Sequence, residues 1–322
     1  MSKKRIASFY EQFSNEDQVL IPIFADPDSI ASAMAVKRLL WRKTAGITIT
    51  NINAIKRPDN QALVRLSGVK LVPLKEIDTT RYNRIVIVDS QPNHNEAFDR
   101  FQADVIIDHH PDTEVVSPYL DIRPKYGATA TIMVEYLKSA KIKPSQKLAT
   151  ALYYAIKTDT DNFNRKAIYE DVLAFQYLFP FANLQIVRKI ESAEMRNGFL
   201  KYFKIAIESR KKRKGWMFSH LESVPNPDVC VMIADFFLRI EDTSWSIVSG
   251  ICGNKLIIIF RSYGYKRDAG KVAQKGFGEF GSAGGHKRAA RAEVPLSNLK
   301  EIIDCQNGNK LSNWIINQIK KG

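Results

Sequence analysis

An aspartate and two histidines, Asp108-His109-His110, come directly after the apolar run Val105-Ile106-Ile107. A strand end that delivers one carboxylate and two imidazoles has the donor set of a metal or phosphate site, which few packed cores need. Alone, the triplet reads equally as a polar turn with a solvated histidine. Three further acidic ends shift the balance. Asp26-Pro27-Asp28 follows an apolar run over 19–25, Asp89 follows Ile85-Val86-Ile87-Val88, and Asp159 closes a helix-like stretch over 148–158. Such ends converge where ligands gather at the carboxyl edge of a parallel sheet. Asp26 and Asp28, spaced as D-x-D, can reach neighbouring cations, while the competing role is to cap the helix beginning near Ser29. Carboxylate mixed with imidazole favours Mn²⁺, with Mg²⁺, Fe²⁺ or Zn²⁺ as alternatives. Two such ions about 3.5–4 Å apart activate a bridging water and neutralise charge at a phosphoryl centre.

The elements that must position these residues are visible as a change of period. From about Gln18 to Pro124, short Ile- and Val-rich runs alternate with amphipathic stretches such as 29–42 and 60–67, which reads as doubly wound α/β. From Gly127 to about Ser209 the pattern is helical, with predicted helices over 128–139, 144–158, 168–178 and 184–192. Beyond that, 216–221, 244–251 and 255–260 read as strands and 231–240 as a helix, predicting a second, smaller α+β domain.

At 322 residues the chain is long enough for two cores. Its opening, Met1-Ser2-Lys3-Lys4-Arg5, leads into polar sequence and no run has the length of a membrane span, so the expected location is the cytoplasm without membrane association. Cys230, Cys252 and Cys305 are odd in number and widely spaced, which argues against a disulfide framework or zinc finger. A formal charge of +14 suits a polyanionic partner or a phosphate-handling enzyme. The densest cationic run, Arg210-Lys211-Lys212-Arg213-Lys214, reads as a solvated linker or helix face, with nucleic-acid contact as the rival use.

Near the C-terminus, Gly281-Ser282-Ala283-Gly284-Gly285-His286-Lys287-Arg288-Ala289-Ala290 is preceded by Phe260-Arg261-Ser262. Glycines admit backbone N–H groups close to a phosphate and the adjacent cations add charge-assisted bonds, while a surface turn is the plainer alternative.

In order and combination these motifs resemble the DHH phosphoesterase family, in the branch with a DHH-associated C-terminal domain that includes nanoRNases and phosphoadenosine phosphatases. The segment Asp26-Pro27-Asp28-Ser29-Ile30-Ala31-Ser32-Ala33 resembles motif one. Asp89 stands as motif two, Asp108-His109-His110 as motif three and Thr158-Asp159-Thr160 as motif four. Gly127-Ala128-Thr129-Ala130-Thr131 resembles the helix start after the triplet, and Gly284-Gly285-His286 with Ala289-Ala290 the C-terminal signature. The resemblance implies a DHH domain over 1–192, a basic helical linker over 193–215 and a substrate-binding domain over 216–322, with the active-site cleft between the two domains. It implies a two-manganese site in which Asp89 bridges, Asp26 serves one ion, and Asp28, His109 and Asp159 serve the other. His110 is then directed at the substrate phosphate, and Arg261, Ser262, Gly284, Gly285 and His286 hold the substrate.

The implied activity is metal-dependent hydrolysis of short oligonucleotides, linear dinucleotides or 3′-phosphoadenosine phosphate, with Asp89 and His110 as the catalytic residues. Mn²⁺ is the expected cofactor and Mg²⁺ its substitute. Partners are then short nucleic acid or nucleotide, with a homodimer as the expected assembly. There are two departures from the pattern. The histidine that usually stands four positions before Asp26 is Pro22 here, weakening the first metal site unless a residue such as His94 replaces it, and Arg291 stands where glycine often closes the C-terminal signature. Alternative readings are a RecJ-like single-strand exonuclease and, because of Pro22, a degenerate nucleotide-binding regulator.

Overall fold

The computed structural model describes residues 3–164, 167–192, 197–264, 268–305 and 307–321. The chain divides into two compact units, Met1–Glu194 and Met195–Gly322.

In the first unit, strands β1 (Gln18–Ile23), β2 (Gly46–Asn51), β3 (Leu71–Pro73), β4 (Arg84–Val88), β5 (Val105–Asp108) and β6 (Tyr119–Ile122) form a sheet of order β3-β2-β1-β4-β5-β6. Every pairing is parallel. The order reverses between β1 and β4, so a crevice opens there beyond the carboxyl ends of the strands. One face carries the helices α1 (Lys3–Tyr10), α2 (Pro27–Leu39), α3 (Pro58–Ser67), α4 (Thr129–Ser139), α5 (Gln146–Asp159), α6 (Tyr169–Leu178) and α7 (Leu184–Glu191). Val19, Ile21 and Ile23 of β1 point into that helical layer, while Leu20, with Ile87 and Ile106, packs on the other face against Phe98 and Phe101. This is the two-residue alternation of a strand buried on both sides. After the reversal the connections cross the second face as 3₁₀ turns, at 74–76, 79–81, 92–94 and 96–98.

The start of α2 is set locally. Pro27 pre-sets the first turn, and Asp26 and Ser29 form a reciprocal capping box, Ser29 N donating to Asp26 Oδ1 at 2.9 Å and Asp26 N to Ser29 Oγ at 3.0 Å. The capping role therefore falls to Asp26, which leaves Asp28 for other partners.

The second unit begins, among the described residues, with a single 3₁₀ turn and α8 (Leu200–Ser209). Its sheet has the order β11-β12-β10-β9-β8-β7, built from β7 (Lys211–Arg213), β8 (Trp216–Ser223), β9 (Trp245–Cys252), β10 (Lys255–Ser262), β11 (Ser282–Gly285) and β12 (Ala289–Pro295). Only β8 and β9 run parallel; the other pairs are antiparallel. Helices α9 (Asp228–Leu238), α10 (Ala269–Phe277) and α11 (Gly308–Lys321) cover it, α9 on one face and α10 with α11 on the other. Of the expected basic linker, residues 193–196 lie outside the described residues; the rest is α8 followed by the edge strand β7, so most of the cationic run sits in a sheet. Among the described residues, no helix is long and apolar enough to cross a membrane.

Candidate metal centre

Four separate segments of the first unit bring acids and histidine to the carboxyl edge at the β1/β4 reversal. Asp28 lies in the first turn of α2, Asp89 follows β4, His109 follows β5 and Asp159 ends α5. Nε2 of His109 lies 3.1 Å from Asp159 Oδ2, 3.5 Å from Asp89 Oδ1 and 4.0 Å from Asp28 Oδ2. Ligand atoms of Asp28, His109 and Asp159 all lie within 4.8 Å of one another, as do those of Asp89, His109 and His110.

Asp28, Asp89 and His109 are each fixed by hydrogen bonds with neighbouring segments. Both oxygens of Asp28 accept backbone N–H bonds at the start of α4, Oδ2 from Thr129 at 2.6 Å and Oδ1 from Ala130 at 2.7 Å. A helix N-terminus is a favourable place for a carboxylate. The Thr129 hydroxyl donates to Asp89 Oδ1 at 3.0 Å. Asp89 itself has φ of 58°, a left-handed conformation that Asp tolerates better than most residues and that concentrates at functional sites. His109 Nδ1 is 3.1 Å from the Tyr126 carbonyl oxygen. A carbonyl only accepts, so Nδ1 carries the proton and, in the neutral ring, Nε2 turns a lone pair toward three carboxylates.

That arrangement is repulsive without a positive charge at its centre. Burial pushes the Asp89 carboxyl well above the usual range, and Asp28, Asp26 and Asp159 push it further. Asp28 is likewise raised, first by burial and then by Asp159 and Asp26, against the lowering effect of its two backbone N–H bonds. Hard oxygens with one imidazole suit Mn²⁺ or Mg²⁺, so the residues present fit a divalent cation.

Asp26 contributes charge to this group, although its Oδ1 is occupied by the α2 cap. Pro22 is buried in β1, paired with Thr50 of β2. His94 groups with Asp108 and His110 rather than with Asp28, its ring centroid 5.3 Å from that of His110.

Sequence reasoning missed the residues that orient the others. Fully buried Asp108 accepts from His110 Nδ1 and from the His109 backbone N–H, both at 2.8 Å on Oδ1, and from Gln91 Nε2 at 2.6 Å on Oδ2. Burial would raise the Asp108 carboxyl, but the bonds from His110 and Gln91 outweigh it and hold it low, while the same Asp108 contact raises the His110 imidazole. Gln91, also fully buried, accepts from Thr113 N and Oγ1 at 2.8 and 2.7 Å. The signal available for Asp108 was its place as the last residue of an apolar strand, where an acid is buried only if paired.

In the second unit the register brings the remaining candidates to one end of the sheet. Arg261 stands across from Ala289, Gly285 from Ala290 and Gly284 from Arg291. Arg261 Nε is bonded to Asp235 Oδ1 at 2.7 Å, and the Ser262 hydroxyl donates to the Lys287 carbonyl at 3.2 Å. Gly285 has φ of 141°, and a Cβ there would lie 2.5 Å from the Ala289 carbonyl oxygen, so only glycine fits. His286 forms the exposed turn between β11 and β12, its N–H donating to Ala289 O at 2.7 Å. Arg291 is paired with Glu293 at 2.6 Å.

Known proteins are similar to this chain in sequence or in fold. An uncharacterized protein of Methanocaldococcus jannaschii is 35% identical over 294 residues, covering 91% of this chain; the chain spans 61% of that relative's length. The crystal structure of an exopolyphosphatase-related protein from Bacteroides fragilis superposes with a TM-score of 0.78 at 16% identity, over 99% of this chain and 96% of that one. The Mn²⁺ complex of RecJ from Thermus thermophilus gives 0.56 at 13% identity, covering 99% of this chain and 54% of its own. Residues 19–156 match the DHH family, N-terminal domain. The stretch so matched contains Asp26, Asp28, Asp89 and the Asp108-His109-His110 triplet, so that over 19–156 the first unit is similar to a DHH-family N-terminal domain.

Proposed function

We propose that the chain is a divalent-cation-dependent phosphoesterase acting on short oligonucleotides, linear dinucleotides or 3′-phosphoadenosine phosphate. The observation that carries this reading is the convergence of Asp28, Asp89 and Asp159 on Nε2 of His109, at 3.1 to 4.0 Å. Asp28, Asp89, His109 and Asp159 would hold one Mn²⁺ or Mg²⁺, and Asp26 with Asp89 a second, weaker one. Bound there, a divalent ion supplies Lewis acidity and a nucleophile at neutral pH. His110 keeps a proton because Asp108 stabilises its charged form, and donates it in a hydrogen bond to a phosphoryl oxygen as negative charge builds. Thr129 holds Asp89 still, and α4 holds Asp28, so little reorganisation is needed as the reaction proceeds. For the second unit, we assign Arg261, Ser262, Gly284, Gly285 and His286 to phosphate binding.

The test is hydrolysis of a panel of dinucleotides, five-residue oligomers, 3′-phosphoadenosine phosphate and long single strands in Mn²⁺, with Asp89→Asn alongside. Hydrolysis of at least one short substrate that the variant loses is expected. Absence of turnover on every substrate, or turnover undiminished in Asp89→Asn, refutes the reading. The buried Pro22, standing where a metal-ligating histidine is usual, favours a second reading as a nucleotide-binding regulator. Tight nucleotide binding without hydrolysis in Mn²⁺ would select it.

A further inference from the structure

The cationic run unused by the metal centre forms one wall of a groove in the second unit. Strand β7 is the sheet edge, and its register sets Arg213 across from Trp216 and Lys211 across from Phe218. Residues directly opposite in an antiparallel pair share a face, so Lys211 and Arg213 stand on the side of the sheet that α11 covers. Trp216 pairs in turn with Trp245 of β9, and the two indoles stack at 4.7 Å with 4° between their planes. They floor an open groove of about 1180 Å³ whose far wall includes Asn317 and Lys320 of α11, with Tyr263 at its margin. Among the described residues lining it, Lys211, Lys212, Arg213, Lys214 and Lys320 are cationic and none is acidic.

A lysine-rich edge strand by itself discourages sheet-to-sheet pairing. That function needs no aromatic floor. Exposed cations along one wall, a half-buried indole and an exposed tyrosine make up the parts that bind single-stranded nucleic acid, in which the backbone follows the charges and the bases stack. The volume exceeds the roughly 300–1,000 Å³ that encloses one small ligand and suits a length of strand. We infer that this groove binds single-stranded nucleic acid, independently of hydrolysis in the first unit.

The probe is a fluorescently labelled oligothymidylate about one groove-length long, titrated with the full chain in EDTA and followed by anisotropy. Lys211→Glu/Arg213→Glu, changing only exposed residues, is expected to weaken binding at least tenfold at low salt. It should also reduce the slope of log affinity against log salt by about 1.4, two phosphates at about 0.7 each. Trp216→Leu should weaken binding by roughly fivefold or more, the loss of one stacked base. Dinucleotide hydrolysis by the charge-reversed variant should match the parent, which separates this groove from the metal centre. Absence of oligothymidylate binding at low salt, unchanged affinity in the charge-reversed variant, or displacement by polyglutamate as effective as by unlabelled strand would each overturn the inference.

Discussion

Replacing Asp159 by asparagine should make the metal-free protein more stable and the metal-loaded protein relatively less so. Asp159 ends α5, where the helix dipole disfavours a negative charge by about 0.3–1 kcal/mol. Its ligand oxygen lies within 4.8 Å of that of Asp28. Two full charges at that separation would repel by about 3.5 kcal/mol at an effective dielectric constant near 20, and part of this is relieved because burial and Asp159 raise the Asp28 carboxyl toward protonation. The Asp159 side chain is 32% exposed, so screening reduces this to about 1–2 kcal/mol. An amide keeps the shape and can donate to the lone pair of His109 Nε2. For a unit of this size the gain corresponds to a Tm higher by about 2–8 °C in EDTA. Scanning calorimetry with EDTA and then with rising Mn²⁺ checks both halves of the claim. Ligand binding raises parent stability with concentration, while the variant, lacking one anionic ligand, gains less, so the two Tm curves cross. An Asp159→Asn protein that melts below the parent in EDTA, or that gains equally from Mn²⁺, refutes the reasoning.

Asp108→Asn should lower kcat by about one to two decades while leaving metal content unchanged by elemental analysis, since Asp108 acts by orienting and charging His110. Pro22→His should lower the Mn²⁺ concentration needed for activity by adding an imidazole to the weaker site, with Pro22→Ala as the control for relaxing β1; two tight ions already bound in the parent by calorimetry would contradict this. In the second unit, burial depresses the His220 imidazole to about 4 from its ordinary 6.5. The folded state therefore binds fewer protons than the unfolded one between those values, so this stability is complete above about pH 6.5 and drains away as the pH falls toward 4. About 2 kcal/mol should be lost by pH 5. Urea unfolding followed by tryptophan fluorescence at pH 7.5 and 5 should show that loss, and His220→Asn should largely remove it.

Much of the first unit was legible because its strands are continuous Ile/Val runs that end in acids: the stretches before Asp26, Asp89 and Asp108 are β1, β4 and β5. The predicted helices over 128–139, 144–158, 168–178 and 184–192 correspond to α4 through α7 within two residues at each end. Less could be read where local composition and tertiary pairing disagree. Lys211–Arg213 carries no apolar alternation, and only its register with β8 makes it a strand. The glycines of 281–285 read as a loop, yet β11 exists because Gly285 can adopt a backbone that lets it close on β12. Within the site, the acids and histidines are visible by type. The cap that Asp26 places on α2 is local, but the clamp that α4 places on Asp28 depends on contacts across about a hundred residues of chain and has no local signature.

Those anchors set Asp28, Asp89 and His109, which come from three separate parts of the chain. Asp28 has both oxygens tied to main-chain amides, Asp89 is set by a left-handed backbone and a threonine, and His109 is pinned through Nδ1. Asp159 stands at a helix end, followed at Asp161, Asn162 and Phe163 by three left-handed residues. Asp28, Asp89 and His109, each carried by a different segment, together act as a fixed gauge for the radius of the cation. Lengthening Asp28 to glutamate would carry its carboxylate past the two α4 amides and spoil that gauge.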